Sequence, residues 1–284
     1  MSQPGYQDAP PPYTEQVQAA PPDTNNVPPY QTPFYPIESA KDSSRTIQSA
    51  TIKFPPTLNG YFRLKPTSTF HLGPTSEQKL FAVVTHSGIF RDKPSIVLHD
   101  GPTDKNAIMA TLKSDKWGRT RPATVNLLVR PSSSYTEPIE ELLIPVSTSH
   151  HMSSTWSFET PVARKGNIRE RFEWRSSHGN EIKELATGHS YGWKLVRIAS
   201  PNAGVGGSRK DRDLGFTSDG LEIVAIVAHN ASWSMTKGLR FAFMGAGLTG
   251  ILGEAWEIMT LISAMQLYIW DAIAANSAAA ATAA

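Results

Sequence analysis

Two kinds of hydrophobic pattern divide this chain. Between residues 58 and 243 the apolar residues come in short runs that turn-forming clusters separate, roughly every 10 to 20 residues. Several runs alternate, as in Arg171–Arg175, where two aromatic rings fall on one side of a strand and the charges on the other. About eleven such runs, with no helix between them, predict an antiparallel β-sandwich or barrel. The candidate strands are Tyr61–Lys65, Leu80–Thr85, Ser95–His99, Ala107–Leu112, Thr124–Arg130, Glu140–Val146, Trp156–Glu159, Arg171–Arg175, Trp193–Ile198, Glu222–Ala228 and Leu239–Phe243.

The second pattern is a helix at Glu254–Ala275 that is apolar around most of its circumference. Such a helix must be buried, either in lipid or inside a protein. Its uncharged run, Ile258–Trp270, is only about 20 Å long, shorter than the roughly 30 Å hydrocarbon core of a bilayer. Glu254 and Glu257 precede the run, Asp271 follows it, and no Lys or Arg comes after it. We therefore expect the helix inside a barrel rather than as a tail anchor, with Asp271 near one mouth.

The first 44 residues form a segment rich in Pro, Gln, Ser and Asn that contains few aliphatic residues. Because it cannot bury enough apolar surface, we expect a disordered tail with polyproline II character. Pro10-Pro11-Pro12-Tyr13 matches the P-P-x-Y pattern that WW domains bind, and Val27-Pro28-Pro29-Tyr30 is a degenerate second copy. The alternative is a solubilising tail in which the motif arises by chance. The predicted WW-binding residues are Pro10, Pro11, Tyr13, Pro28, Pro29 and Tyr30.

Charge and cysteine content narrow the class of partner. The chain has 27 basic and 25 acidic residues, and the acidic tail leaves a net charge of about +6 on the remainder. That charge suits weak attraction to anionic membranes or acidic partners, but no Lys/Arg stripe with interleaved aromatics indicates nucleic acid. The absence of cysteine excludes disulfides, thiolate metal sites and a cysteine nucleophile. With no signal-peptide pattern at the start, we expect a cytoplasmic protein.

The sequence contains little catalytic chemistry. His150 and His151 are adjacent and point apart on an extended backbone, and the other histidines noted, His86, His99, His178 and His189, lie beside predicted turns. No metalloprotease, nucleophile-elbow or calcium-loop motif occurs. We therefore predict a protein without enzymatic activity, metal or cofactor. Residues 200–220 form the longest predicted loop, which is either a basic surface loop or a site for an anionic head group at Arg209, Lys210 and Arg212.

Several phrases carry a resemblance over about residues 58–273, namely FHLGPTSEQKLFAVVTHSG, SIVLHDGPTDKNAIMATLKSD, FEWRSSHGNEIKEL, GWKLVRI and the Gly-rich run into LGEAWEIMTLISAMQLYIW. They resemble fungal members of the tubby C-terminal-like superfamily, which includes the LURP-one-related proteins and the phospholipid scramblases. The resemblance implies a closed antiparallel barrel of about 12 strands around a central hydrophobic C-terminal helix. That domain would span residues 58–275, between the tail at 1–44 and a frayed Ala-rich end at 276–284. The scramblases' palmitoylated cysteine cluster has no counterpart here.

These patterns lead to one main functional expectation and one alternative. The main expectation is a cytoplasmic barrel, in part peripheral at membranes, that binds an anionic, phosphoinositide-like lipid while its tail recruits WW-domain proteins. The alternative is an adaptor that binds no lipid and whose tail tethers a WW-containing ubiquitin ligase of the HECT type. Lys41 would then be a nearby ubiquitin acceptor.

Overall fold

A computed structural model describes ten stretches of the chain. They are residues 53–61, 69–86, 93–114, 121–128, 137–146, 155–163, 168–186, 191–199, 215–229 and 238–282. The predictions for the tail at residues 1–44 lie outside these stretches.

The described residues form twelve β-strands that close into one antiparallel barrel. Each strand pairs with its neighbours in sequence, and β1 pairs with β12 to complete the ring. Closure leaves no strand edge open to another chain. The strands are β1 Thr57–Tyr61, β2 Thr69–Gly73, β3 Phe81–Thr85, β4 Ile96–His99, β5 Ile108–Ser114, β6 Ala123–Leu127, β7 Ile139–Val146, β8 Thr155–Pro161, β9 Arg169–Ser177, β10 Gly192–Arg197, β11 Glu222–His229 and β12 Leu239–Phe243.

The predicted fold class is confirmed, but the beginning of the barrel differs from the sequence prediction. The strand expected at Tyr61–Lys65 overlaps β1 at Tyr61 alone, and β2 was missed. β1 contains Asn59-Gly60, a pair typical of turns, and it is held in the sheet by pairing with both β2 and β12. A short helix, α1 at Asn180–Ala186, follows β9, whereas the sequence analysis expected no helix between the strands.

The predicted burial of the terminal helix inside the barrel is also confirmed. Helix α2, Glu254–Thr282, runs through the barrel, and Leu261, Met265 and Trp270 are at most 2% exposed. The Trp270 ring lies 4.4 Å from the ring of Trp156 on β8. The Trp174 indole on β9 donates a hydrogen bond of 2.9 Å to the Ser263 hydroxyl. The side chains of α2 therefore form the core of the barrel.

Helix α2 continues beyond the predicted limit at residue 275, to Thr282. The Ala-rich segment that was expected to fray is thus helical in its described part. Alanine has the highest helix propensity, and extending an existing helix needs no new nucleus. Over Glu254–Ala275 the helix is also long and apolar enough to cross a bilayer, a property that the core helices of soluble proteins share.

Glycines shape the turn that brings the chain from β12 into the barrel. A short 3-10 helix, Gly245–Leu248, follows β12, and Gly253 then precedes α2 with φ +85°. A Cβ atom on Gly253 would lie 2.8 Å from the Cβ of Ala163, and one on Gly247 would lie 2.8 Å from the Trp256 ring. The tight approach of this turn to the barrel wall requires glycine at both positions.

A second, smaller apolar cluster lies on the outside of the barrel. Ile182 and Ala186 of α1 pack there with Val196 of β10 and Ile226 of β11. Strand β10 is therefore covered on both faces. One face of β10 meets the core and the other meets α1 and its neighbours.

Candidate functional site

The two ends of the barrel differ, and α2 defines them. We call the end where α2 enters the start end and the end where it leaves the exit end. Odd-numbered strands run from the start end to the exit end, and even-numbered strands run back. The start end therefore carries the β2–β3, β4–β5, β6–β7, β8–β9 and β10–β11 connections, together with the turn into α2.

At the exit end, a buried carboxylate on α2 joins a cluster of rings. Asp271, 9% exposed, accepts hydrogen bonds from the indole nitrogen of Trp193 at 2.7 Å and from Nε2 of His229 at 3.0 Å. The His229 ring stacks on Tyr268 at 4.8 Å, and Tyr191 lies 5.6 Å from it on another side. Asp271 thus lies near one mouth, as its position in the sequence predicted.

Asp271 and the rings around it hold α2 at the point where the helix leaves the barrel. Burial raises the pKa of Tyr268 to about 12, so its hydroxyl stays neutral. Asp271 and His229 form a carboxylate–imidazole pair with a hydrogen bond of 3.0 Å. With the bond from the Trp193 indole, this pair connects α2 to β10 and β11.

At the start end, a second buried carboxylate holds the segment that leads into β1. Glu257, 1% exposed, accepts hydrogen bonds from the backbone nitrogens of Lys53 at 2.9 Å and Phe54 at 3.4 Å. Its other oxygen has no hydrogen-bond partner among the described residues. Burial raises the pKa of Glu257 to about 7, the Phe54 N–H opposes that rise, and the charge of Glu254 adds to it. The carboxyl is therefore partly protonated near neutral pH.

The ammonium group of Lys53 completes this connection. Its side chain is 6% exposed and lies 3.2 Å from Asp100 and 3.4 Å from Glu254. The first described residue of the chain is thus fixed to both the β4–β5 connection and α2.

Charged side chains also occupy inward positions of the wall near the start end. Glu141 on β7 is 3% exposed and accepts two hydrogen bonds from the Arg169 guanidinium. Glu170 on β9 accepts two from Arg197, at 2.6 and 2.7 Å. Burial raises the pKa of Glu141 even though Arg169 opposes the rise, and the bond to Glu170 raises the pKa of Arg197. Glu141 and Glu170 are therefore turned inward, and each is paired with an arginine.

The residues that the sequence analysis predicted for binding all lie outside the described residues. Arg209, Lys210 and Arg212, like the WW-binding residues Pro10 to Tyr30, lie outside the described residues. The β10–β11 connection that contains the three basic residues begins and ends at the start end.

Two of the histidines beside predicted turns, His86 and His99, lie within hydrogen-bond distance of the backbone. The ring Nδ1 atoms of His86 and His99 each lie 2.9 Å from a backbone carbonyl, those of Pro94 and Asn106 respectively. Among the described residues no group of three or more His, Cys, Asp or Glu could hold a metal ion.

Sequence reasoning missed the roles of Glu257 and of the Asp271–His229 pair. A signal existed, because a carboxylate in an apolar buried helix requires a partner. The partners lie 42 or more residues away in sequence, at His229, Trp193 and the Lys53–Phe54 backbone, and only the barrel topology brings them together.

No family model, curated protein or solved structure matches this chain.

Proposed function

We propose that this chain is a non-enzymatic barrel of the tubby C-terminal-like type that binds anionic membrane surfaces in the cytoplasm. A proline-rich tail that recruits WW-domain proteins completes the proposal. The observation that carries the barrel's role is its interior: α2 fills it with side chains such as Leu261 and Met265, which are fully buried. A ligand must therefore bind at the outer surface or at the two ends of the barrel.

The β10–β11 connection supports an anionic ligand. Arg209, Lys210 and Arg212 lie in it within four residues, with Asp211 between them and Asp213 directly after them. The tail is acidic, so the domain carries about +6, which adds a general attraction to anionic lipid. Each basic side chain near such a surface contributes about 1 kcal/mol, and salt screens the effect.

Vesicle sedimentation tests the lipid part of the proposal. The full chain should sediment with vesicles that contain phosphatidylserine or a phosphatidylinositol phosphate, less with phosphatidylcholine alone, and less at high salt. Changing Arg209, Lys210 and Arg212 to Gln should weaken binding about a hundredfold at low salt. The reason is that three basic side chains together contribute about 3 kcal/mol to the binding free energy.

A matched triple variant controls for the loss of charge. Lys113, Arg121 and Lys183 are exposed basic residues toward the exit end. Changing these three to Gln removes the same charge and should weaken binding much less. Equal loss in the two triple variants would remove the head-group assignment to the β10–β11 connection.

The tail proposal has its own test. Tyr13→Ala should abolish capture of the chain by WW domains and leave vesicle binding unchanged, because the tyrosine gives the P-P-x-Y ligand its specificity. Tyr6 lies in the same tail outside the motif, so Tyr6→Ala is the control. Capture that survives Tyr13→Ala would point to Tyr30 or away from WW domains, and a Tyr13→Ala/Tyr30→Ala variant separates the two.

The adaptor alternative is read from the same experiments. It predicts WW capture together with no vesicle sedimentation under any lipid composition. If a HECT-type ligase is the partner, ubiquitin should be transferred to this chain, and Lys41→Arg should reduce the transfer.

A further inference from the structure

Exposed aliphatic side chains are concentrated at the start end of the barrel. Among the described residues eight large hydrophobic side chains are exposed, and five of them lie at this end. The other three are Leu142 and Ile144 on the outer wall of β7 and Ile273 beyond the exit end. The five at the start end are Leu80, Ile108, Ile168, Leu248 and Ile251.

Three of the five are joined into one patch by the backbone. Leu248 and Ile251 lie in the turn into α2, whose Leu252 carbonyl accepts a hydrogen bond of 3.2 Å from the Ala163 nitrogen. The neighbouring Val162 nitrogen donates to the Ile168 carbonyl at 2.9 Å. Ile168, Leu248 and Ile251 are 55%, 42% and 37% exposed. We call these three residues the aliphatic patch.

Charge divides the start end into two halves. Among the described residues, the half formed by the β2–β3, β4–β5 and β6–β7 connections exposes three acidic side chains, Glu77, Asp104 and Glu137, and one basic side chain, Lys105. Leu80 and Ile108 lie in this half, where the excess of exposed acidic side chains disfavours an anionic surface.

The half that holds the aliphatic patch presents guanidinium groups instead. Arg169 and Arg171, at the start of β9 beside Ile168, have side chains that are 48% and 45% exposed. The carboxylate that pairs with Arg169 is that of the buried Glu141, so negative charge is withdrawn inward.

Among the described residues, the two exposed acidic side chains of this half, Glu159 and Asp219, each lie beside an arginine. Glu159 faces Arg171 across the β8–β9 ladder, and Asp219 forms an ion pair of 2.8 Å with Arg175. This half therefore places exposed guanidinium groups beside the aliphatic patch, with Glu159 and Asp219 balancing their charge, whereas exposed acidic side chains predominate among the described residues of the opposite half.

We propose that the barrel docks end-on to an anionic membrane, tilted so that the aliphatic patch inserts among the lipid chains. Arg169 and Arg171 then lie at the level of the lipid phosphates. This inference rests on the proposed lipid binding and adds an orientation and an apolar contribution to it. Aliphatic side chains on a barrel end, flanked by arginines, satisfy the two requirements of interfacial binding, which are buried apolar area and attraction to anionic lipid. An anionic bilayer provides both on one surface, because its acyl chains can take up the apolar side chains and its phosphates attract the arginines.

The absence of cysteine from the chain makes the orientation directly measurable. Single cysteines at positions 168, 251, 108 and 142 of the full chain each accept an environment-sensitive fluorophore without a background label. With vesicles of phosphatidylserine and phosphatidylcholine, the labels at 168 and 251 should shift to the blue and be quenched by lipids with a quencher in the acyl chain. The labels at 108 and 142 should stay in water.

Matched substitutions measure the apolar contribution. Ile168→Ser/Ile251→Ser should weaken vesicle binding about tenfold or more and should do so even at high salt, since each methylene withdrawn from the bilayer costs about fourfold. Leu142→Ser/Ile144→Ser removes side chains of similar exposure, 45% and 41%, and should leave affinity unchanged. All four side chains are exposed, so the fold should tolerate both variants.

The outcomes separate the inference from the function on which it rests. If the unmodified chain does not sediment with any anionic vesicle, lipid binding itself is refuted. If it sediments but the labels at 168 and 251 remain in water, or the label at 142 or 108 inserts instead, end-on docking through the aliphatic patch is refuted and lipid binding stands. Equal loss of affinity in the two double variants also refutes the docking geometry.

Discussion

The buried carboxyl of Glu257 should make the stability of the barrel depend on pH in an unusual direction. Its pKa is raised from the usual value of 4.5 to about 7, mainly by burial. Because the protonated form suits the folded state, the stability associated with this group is complete below pH 4.5. It is lost as the pH rises through about 7. Relative to the fully protonated state, the unfolding free energy is lower by about 3 kcal/mol at pH 9 and by about 1 kcal/mol at pH 5.

Glu257→Gln isolates this effect. The amide oxygen can still accept the backbone N–H groups of Lys53 and Phe54, and the side chain stays neutral at every pH. The unfolding free energy of both proteins is measured in urea at pH 5 and pH 9. The difference, variant minus wild type, should be about 2 kcal/mol larger at pH 9 than at pH 5. Glu184→Gln, at an exposed position on α1, should give no such gain. Equal pH dependence in wild type and Glu257→Gln would refute the assignment of a desolvated carboxyl.

Three further predictions concern the core and the exit end. Leu261→Ala should lower the unfolding free energy by about 2–5 kcal/mol through a cavity in the barrel, whereas Leu142→Ala on the outer wall should change it by less than about 0.5 kcal/mol. Similar losses at both positions in urea unfolding would contradict the placement of α2. Asp271→Ala leaves the buried Trp193 indole N–H without its acceptor and should cost about 1–3 kcal/mol. Ser263→Ala should cost a similar amount by removing the acceptor of the Trp174 indole, and unchanged unfolding curves would contradict either hydrogen bond.

The burial of α2 could be predicted from the sequence because its cause is local. The uncharged run between Glu257 and Asp271 is too short for a bilayer, and a mostly apolar surface still needs cover. The strands before it offered that cover. The structure places both carboxylates at opposite ends of the buried segment, where each finds hydrogen-bond donors.

The first two strands could not be placed in the same way. Asn59-Gly60 is typical of a turn, and β2, Thr69–Gly73, follows a cluster of Pro, Ser and Thr that also indicates a turn. Their strand conformation depends on closure of the ring, in which β1 pairs with β12 more than 170 positions along the chain. Local propensity does not contain that information.

The contacts at the two ends of the barrel could not be predicted from the sequence either. A carboxylate in an apolar helix signals that a partner exists, but only the topology shows that Asp271 meets His229 and Trp193. The same holds for the aliphatic patch, because Ile168 and Ile251 lie on segments that the barrel alone brings together. Exposure of single aliphatic residues has no signature in the sequence.

Amide hydrogen exchange of α2, with and without anionic vesicles, tests most directly that this helix is the core of the barrel and that the membrane contacts the outside. Peptides covering Trp256–Trp270 should be among the slowest to exchange, at rates set by global unfolding, and vesicles should leave those rates unchanged. Peptides covering Leu248–Leu252 should instead gain protection when vesicles are added. Rapid exchange of Trp256–Trp270 in solution, or protection there that appears only with lipid, would contradict the account.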